Sequence, residues 1–176
     1  MLVEEASQIL DQIESQDASV DDQAQVAEAI LVRCHSWAST LTGLGMRGEM
    51  GAPAWTASEL KIWQLGESLR LFLRRKAWRG QGALLDAVVR VVISREFGKG
   101  RQTFVLLLGD YGNKEYGPVL GGVLDDPEVC GHALKALRTA KIRGYAEPVR
   151  QVLLREQGWI RKAAKRYLKE VEGIPA

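Results

Sequence analysis

Residues 118–137 read PVLGGVLDDPEVCGHALKAL, and residues 148–168 read PVRQVLLREQGWIRKAAKRYL. The first halves of these stretches align at an offset of 30, with Pro118 on Pro148, and the second halves align at 31, with Leu137 on Leu168. Each stretch holds two short apolar helical patterns joined by a turn. Paired helices that recur with a period of about thirty residues stack, because no pair buries its apolar face alone. The repeat predicts an all-α protein, an α-solenoid or α-α superhelix of antiparallel helix pairs.

The rest of the chain follows the same helical period. Apolar spacing predicts helices over 2–16, 56–78, 81–96, 101–109, 115–125, 127–141, 145–156 and 158–171. A further helix runs to about residue 41 from a start signal formed by Ser19 and Asp22. We expect a single domain with an acidic helical hairpin (1–42), a glycine-rich loop (43–55) and helical repeats (56–176). VVRVVIS (88–94) and TFVLLLG (103–109) would also pass as buried strands, but continuity with the repeat favours helices.

The composition is typical of a globular protein. Hydrophobic residues make up 46% of the chain and charged residues 26%, so a core can form without disulfides. Two cysteines in 176 residues favour a reducing compartment. The acidic N-terminus differs from a signal peptide, and no apolar run reaches the ~18 residues of a membrane span. These features predict a cytoplasmic protein that does not enter a membrane.

Charge is segregated along the chain, although the net charge is only +2. Residues 1–30 carry eight acidic and no basic side chains, whereas residues 135–170 carry eleven basic and three acidic ones. Residues 61–101 are also basic, with ten basic against three acidic side chains. Such segregation attracts acidic protein surfaces or nucleic acid, or pairs with the acidic end of the same chain. The alternative is a set of solvated outer faces.

Residues 124–129, LDDPEV, carry a resemblance to a known family. The Asp-Pro turn ends one helix, and the residues that follow it at the helix interface are repeated in the next unit: Val129, Ala133 and Leu137 recur as Ile160, Ala164 and Leu168. From about residue 80 onward, the chain resembles bacterial HEAT-like repeat proteins. The resemblance implies stacked helix pairs and a structural ion pair between Arg161 and a turn aspartate, Asp125 or Asp126.

A basic stripe repeats with the period of the helix pairs. Lys135 and Arg138 correspond, at an offset of 31, to Arg166 and Lys169, and each pair is spaced i, i+3 on one helix face. Stacking would place the four side chains next to one another. The HEAT-like resemblance implies that such second helices line a concave binding side, so we predict a partner-binding surface here. The alternative is that these charges only keep the outer face of the last repeat polar.

A second candidate for partner binding lies in residues 74–79, RRKAWR, which include Arg74 and Trp78. A tryptophan among arginines suits a protein hot spot or base stacking. The same pattern arises where a tryptophan covers the stem of an arginine.

Three motifs that could carry other chemistry lack the sequence context that this chemistry needs. Residues 43–48 match GxGxxG, but a helix rather than a strand precedes them, so no dinucleotide cofactor is expected. The Cys/His pairs at 34–35 and 130/132 lack zinc-site spacing, and neither cysteine shows the surroundings of a nucleophile. We therefore predict no catalytic residue, no cofactor and no metal.

Three functions are compatible with these sequence features. The first is a non-enzymatic protein-binding adaptor, or an immunity-type module that masks a toxin, with the basic repeat face binding an acidic partner surface. The second is binding to a nucleic-acid backbone, which the resemblance implies through the HEAT-like DNA glycosylases. The third is a small α/β enzyme with residues 103–109 as a strand.

Overall fold

Helices account for most of the residues that the computed structural model describes, which are 1–15, 22–41, 45–46, 55–74 and 82–175. The α-helices within these ranges are α1 (Val3–Glu14), α2 (Gln23–Thr40), α3 (Ala57–Phe72), α4 (Gly82–Ile93), α5 (Gln102–Tyr111), α6 (Gly117–Gly122), α7 (Cys130–Thr139), α8 (Ala146–Arg155) and α9 (Gly158–Tyr167). The predicted all-α class is confirmed for this part of the chain.

Shorter elements complete the described structure. Strand β1 (Gly45–Met46) pairs antiparallel with β2 (Trp55–Thr56), with Gly45 opposite Thr56. Arg95–Arg101 and Lys114–Tyr116 are 3-10 segments, and Leu168–Glu172 forms a π-helical turn after α9. Among the described helices, none combines the length and apolarity needed to cross a membrane.

The two segments with ambiguous sequence patterns are both helical. α4 contains most of VVRVVIS, and α5 contains all of TFVLLLG. Their strand interpretation is therefore wrong, and the α/β alternative loses the strands that it required. Both helices bury most of their apolar side chains. This burial explains why apolar residues run almost continuously through both sequences instead of lying on one helix face.

The described chain divides into two compact units, residues 1–104 and residues 105–176. The single-domain organisation and the solenoid arrangement stay predictions. Of the predicted glycine-rich loop, only Gly45, Met46 and Trp55 lie within the described residues.

The N-terminal unit packs α1, α2, α3 and α4 around an apolar core, in which α2 contacts the other three helices. Glu59 organises one edge of this unit. Its carboxylate accepts hydrogen bonds from the Thr56 N–H at 2.7 Å and from the Lys99 N–H at 2.9 Å. The first bond belongs to a capping box, because the Thr56 hydroxyl accepts the Glu59 N–H at 3.1 Å. The second bond ties the 3-10 segment to the start of α3.

The C-terminal unit contains the two helix pairs that the repeat predicts. α6 packs against α7, α8 packs against α9, and α7 also packs against α9. Apolar residues at equivalent repeat positions are buried, among them Ala133 and Leu137 on α7 and Ala164 on α9, with Leu168 just beyond its end. The two second helices of the predicted pairs therefore lie side by side, which is the arrangement that the basic stripe needs.

Candidate binding groove

A groove of about 310 Å³ runs between α7 and α9. Its lining side chains recur every three or four residues, so each helix presents them on one face. They are Leu134, Lys135 and Arg138 of α7, and Trp159, Lys162, Ala163 and Arg166 of α9. We call this set the α7–α9 groove. Four of its seven side chains are cationic and none is acidic.

The turn that precedes α7 is fixed from two sides. The Asp126 side chain is buried and accepts the Glu128 N–H at 3.1 Å, while its carbonyl oxygen accepts the Cys130 N–H at 2.8 Å. The Arg155 guanidinium, from the end of α8, donates to the Leu124 carbonyl oxygen at 3.0 Å. These bonds set where α7 begins and hence the direction in which Lys135 and Arg138 point.

The π-helical turn after α9 fixes the other end of the C-terminal unit. One carboxylate oxygen of Glu172 accepts the N–H groups of Gly144 at 2.7 Å and Tyr145 at 3.0 Å, and the Tyr167 hydroxyl lies 2.7 Å from it. Partial burial favours the protonated carboxyl, but these hydrogen bonds outweigh it and hold the pKa of Glu172 below its usual value. The loop between α7 and α8 is thereby tied to the end of α9.

The same π-helical turn brings one carboxylate to the cations of the groove. Glu170 lies 3.1 Å from the Arg138 guanidinium, and both side chains are partly exposed. Within the described ranges, no side chain forms an ion pair with Lys135, Lys162 or Arg166. Three cations of the groove are therefore available to an anionic ligand.

An aromatic ring lies among these cations. Trp159 is 55% exposed, yet its indole is held against α7. A Cβ at Gly131 would lie 2.2 Å from the indole ring, so only glycine permits this approach. The His132 ring meets the indole edge-on, with centroids 5.4 Å apart at 73°. The groove therefore offers a positioned aromatic surface beside cationic side chains.

His132 is neutral at physiological pH. Burial, and to a smaller extent the charge of Lys135, lowers the pKa of His132 from 6.5 to about 4. An unfolded chain binds a proton at this position below about pH 6.5, whereas the folded chain does not until pH nears 4. The contribution of His132 to stability is therefore complete above pH 6.5 and is lost as the pH falls towards 4.

We expect His132→Gln to reduce the acid dependence of folding. The free energy of unfolding of the wild-type chain should fall by about 3 kcal/mol more than that of the variant between pH 6.5 and 4. Urea denaturation across this range measures both curves. Curves that run parallel would show that His132 titrates alike in the folded and unfolded chains.

The structure brings together three of the residues that the sequence predicted for partner binding: Lys135, Arg138 and Arg166. Lys169 lies in the π-helical turn, beyond the residues that line the groove. Arg74 is exposed just after the end of α3, and Trp78 lies outside the described residues.

Arg161 is exposed on α9. Its ion pair with Asp125 or Asp126 stays a prediction, and the arginine observed at that turn is Arg155.

Four of the seven residues that line the groove were not predicted as site residues from the sequence: Leu134, Trp159, Lys162 and Ala163. A signal was present, since Trp159, Lys162 and Arg166 are spaced i, i+3, i+7 and so share a helix face. The positive charge and the solvent exposure of this helix face are typical of an anion-binding surface.

Among the described residues, no three His, Cys, Asp or Glu side chains cluster as metal ligands would. A search of protein-family models, of curated proteins and of solved structures found no match to this chain.

Proposed function

We propose that this chain is a protein-binding adaptor whose α7–α9 groove holds an acidic surface of a partner protein. The observation that carries the proposal is the convergence of Lys135, Arg138, Lys162 and Arg166 on one groove, three of them without an ion pair in the described structure. Charge complementarity of this kind steers association and sets specificity.

The layout of the groove favours a protein over an extended polyanion. Leu134, Ala163 and the indole of Trp159 supply apolar surface between the cations, which matches the apolar centre and polar rim of protein interfaces. Tryptophan and arginine are also the residue types that dominate binding energy at such interfaces. Residues 105–176 carry twelve basic against nine acidic side chains, and the four basic side chains that line the groove have no acidic side chain among the lining residues. An immunity-type role would be one use of this surface.

Site-specific photo-cross-linking tests the proposal. A benzophenone amino acid replaces Lys162 in the groove or, as the control, Gln151, which is exposed on α8 and does not line the groove. After irradiation in an extract of the native host, we expect the position 162 chain to give adducts with one acidic protein, and the position 151 chain to give few. Adducts with nucleic acid at position 162 would favour the backbone-binding alternative, and adducts only at position 151 would contradict the proposal.

A further inference from the structure

The indole of Trp159 is unusual in being exposed and yet held in place. Its six-membered ring lies over the backbone of Gly131, where a Cβ would come within 2.2 Å of the nearest ring atom and 2.8 Å of the third nearest. The His132 ring closes one edge at a centroid distance of 5.4 Å. A side chain that is ordered before binding loses little conformational entropy when a ligand stacks on it. The open face of the indole is therefore a prepared surface for an apolar or planar group.

An ion pair within the chain shows which kind of anion the cations of the groove can bind. Glu170 places a carboxylate 3.1 Å from the Arg138 guanidinium at this groove. Guanidinium and carboxylate groups match in shape and charge, and Lys135, Lys162 and Arg166 are oriented into the same groove. Carboxylates of a partner can therefore pair with the remaining cations as Glu170 pairs with Arg138.

The size of the groove limits what enters it. A volume of about 310 Å³ is at the small end of the range for ligand pockets. It admits only a few side chains of the partner's acidic surface. An occupant must therefore present its planar group and its carboxylates within a short stretch of chain.

We infer that the groove binds a short acidic peptide segment of the partner in which carboxylates flank an aromatic side chain, and that this side chain stacks on the open face of Trp159. The inference rests on the proposed function and adds the sequence character of the partner segment. Stacking of an aromatic pair adds affinity beyond that which comes from the burial of apolar surface. The aromatic anchor and the carboxylates therefore make separable contributions.

Three blocked pentapeptides separate these contributions in calorimetric titrations of the full chain at low salt. They are Glu-Glu-Phe-Glu-Glu, Glu-Glu-Ala-Glu-Glu and Gln-Gln-Phe-Gln-Gln. We expect the first to bind about three- to tenfold more tightly than the second, and the third to show no binding at about 1 mM. Trp159→Ala should make the first two peptides equal. Leu154→Ala, which removes a side chain that is 76% exposed on α8, should leave all three results unchanged.

The outcomes distinguish this inference from the proposed function. Equal affinity of the wild-type chain for the two acidic peptides would overturn the aromatic anchor and leave an acidic partner in place. A preference for phenylalanine that survives Trp159→Ala would also overturn the inference, because the anchor would then bind elsewhere. Absence of binding by both acidic peptides, or tighter binding of the oligonucleotide dT5, would overturn the inference and the proposed function together.

Discussion

Replacing Arg101 with methionine should lower the free energy of unfolding by about 3–5 kcal/mol, because two backbone carbonyl groups lose their hydrogen bonds to a buried charged group. Arg101 is fully buried, and its guanidinium donates to the carbonyl oxygens of Gly98 at 2.8 Å and Val92 at 3.2 Å. Methionine fills part of the space but leaves both carbonyl groups without these donors. The loss of hydrogen bonds therefore outweighs the gain in apolar contact.

The position of Arg101 in the fold explains the size of this effect. Gly98 has a φ of +49°, which few other residues adopt, and a Cβ there would lie 2.1 Å from the Glu59 carboxylate. The Lys99 N–H donates to that same carboxylate. Arg101 and Glu59 therefore both hold the 3-10 segment, through the neighbouring residues Gly98 and Lys99.

Urea denaturation of matched variants measures the effect. Arg90→Met removes an exposed arginine near the end of α4 and should change the free energy of unfolding by less than about 0.5 kcal/mol. Arg101→Lys keeps the charge but loses the forked geometry, so we expect an intermediate loss. If Arg101→Met is no more destabilising than Arg90→Met, the buried guanidinium does not support this segment.

The last three helices of the chain could be predicted from the local sequence pattern and the repeat. The segments predicted at 127–141, 145–156 and 158–171 correspond to α7, α8 and α9 with its π-helical turn. Each of these helices buries an apolar face with helical spacing, and the repeat offset gives two copies of that signal. The helical prediction for the two strand-like segments is correct for the same reason, since they continue the helical series.

The 3-10 segment Arg95–Arg101 could not be predicted in this way. Its conformation depends on Glu59, which is forty residues away from Lys99 in the chain, and on a glycine with positive φ. The charge pattern is misleading here as well. Arg101 contributes to the basic character of residues 61–101, yet it is a core residue and adds nothing to the surface.

The groove could be predicted in part. The repeat offset brings Lys135, Arg138 and Arg166 together, because helices with matching positions stack. The helical spacing of Trp159 with Lys162 and Arg166 could have indicated its helix face, but its contact with α7 depends on close approach to Gly131 and could not be predicted. The offset also pairs Lys169 with Arg138, but the wider π-helical turn begins at Leu168, and Glu170 is the residue that reaches Arg138.

Reversal of two groove charges should abolish partner binding. Arg138→Glu combined with Arg166→Glu reverses two of the four positive charges of the groove and replaces two attractive contacts with two repulsive ones. Each such change costs at least about 1.4 kcal/mol, so we expect affinity for an acidic partner to fall by at least about 100-fold. Arg138→Glu places a second carboxylate beside Glu170. Because the side chains at positions 138 and 170 are both partly exposed, the free energy of unfolding should fall by less than about 1 kcal/mol.

The matched control is Arg150→Glu combined with Lys165→Glu. Both residues are exposed, on α8 and α9, and neither lines the groove. This control changes the charge of the protein by the same amount and leaves the groove intact. Non-specific attraction would respond equally to the two double variants, whereas a defined site responds only to the first.

Quantitative affinity capture from an extract of the native host, with the wild-type chain and the two double variants as baits, tests the groove most directly. We predict that the wild-type chain and the control variant retain the same acidic protein in equal amounts, and that the groove variant loses it. Equal retention by all three baits, or equal loss by both variants, would contradict the α7–α9 groove as the binding site.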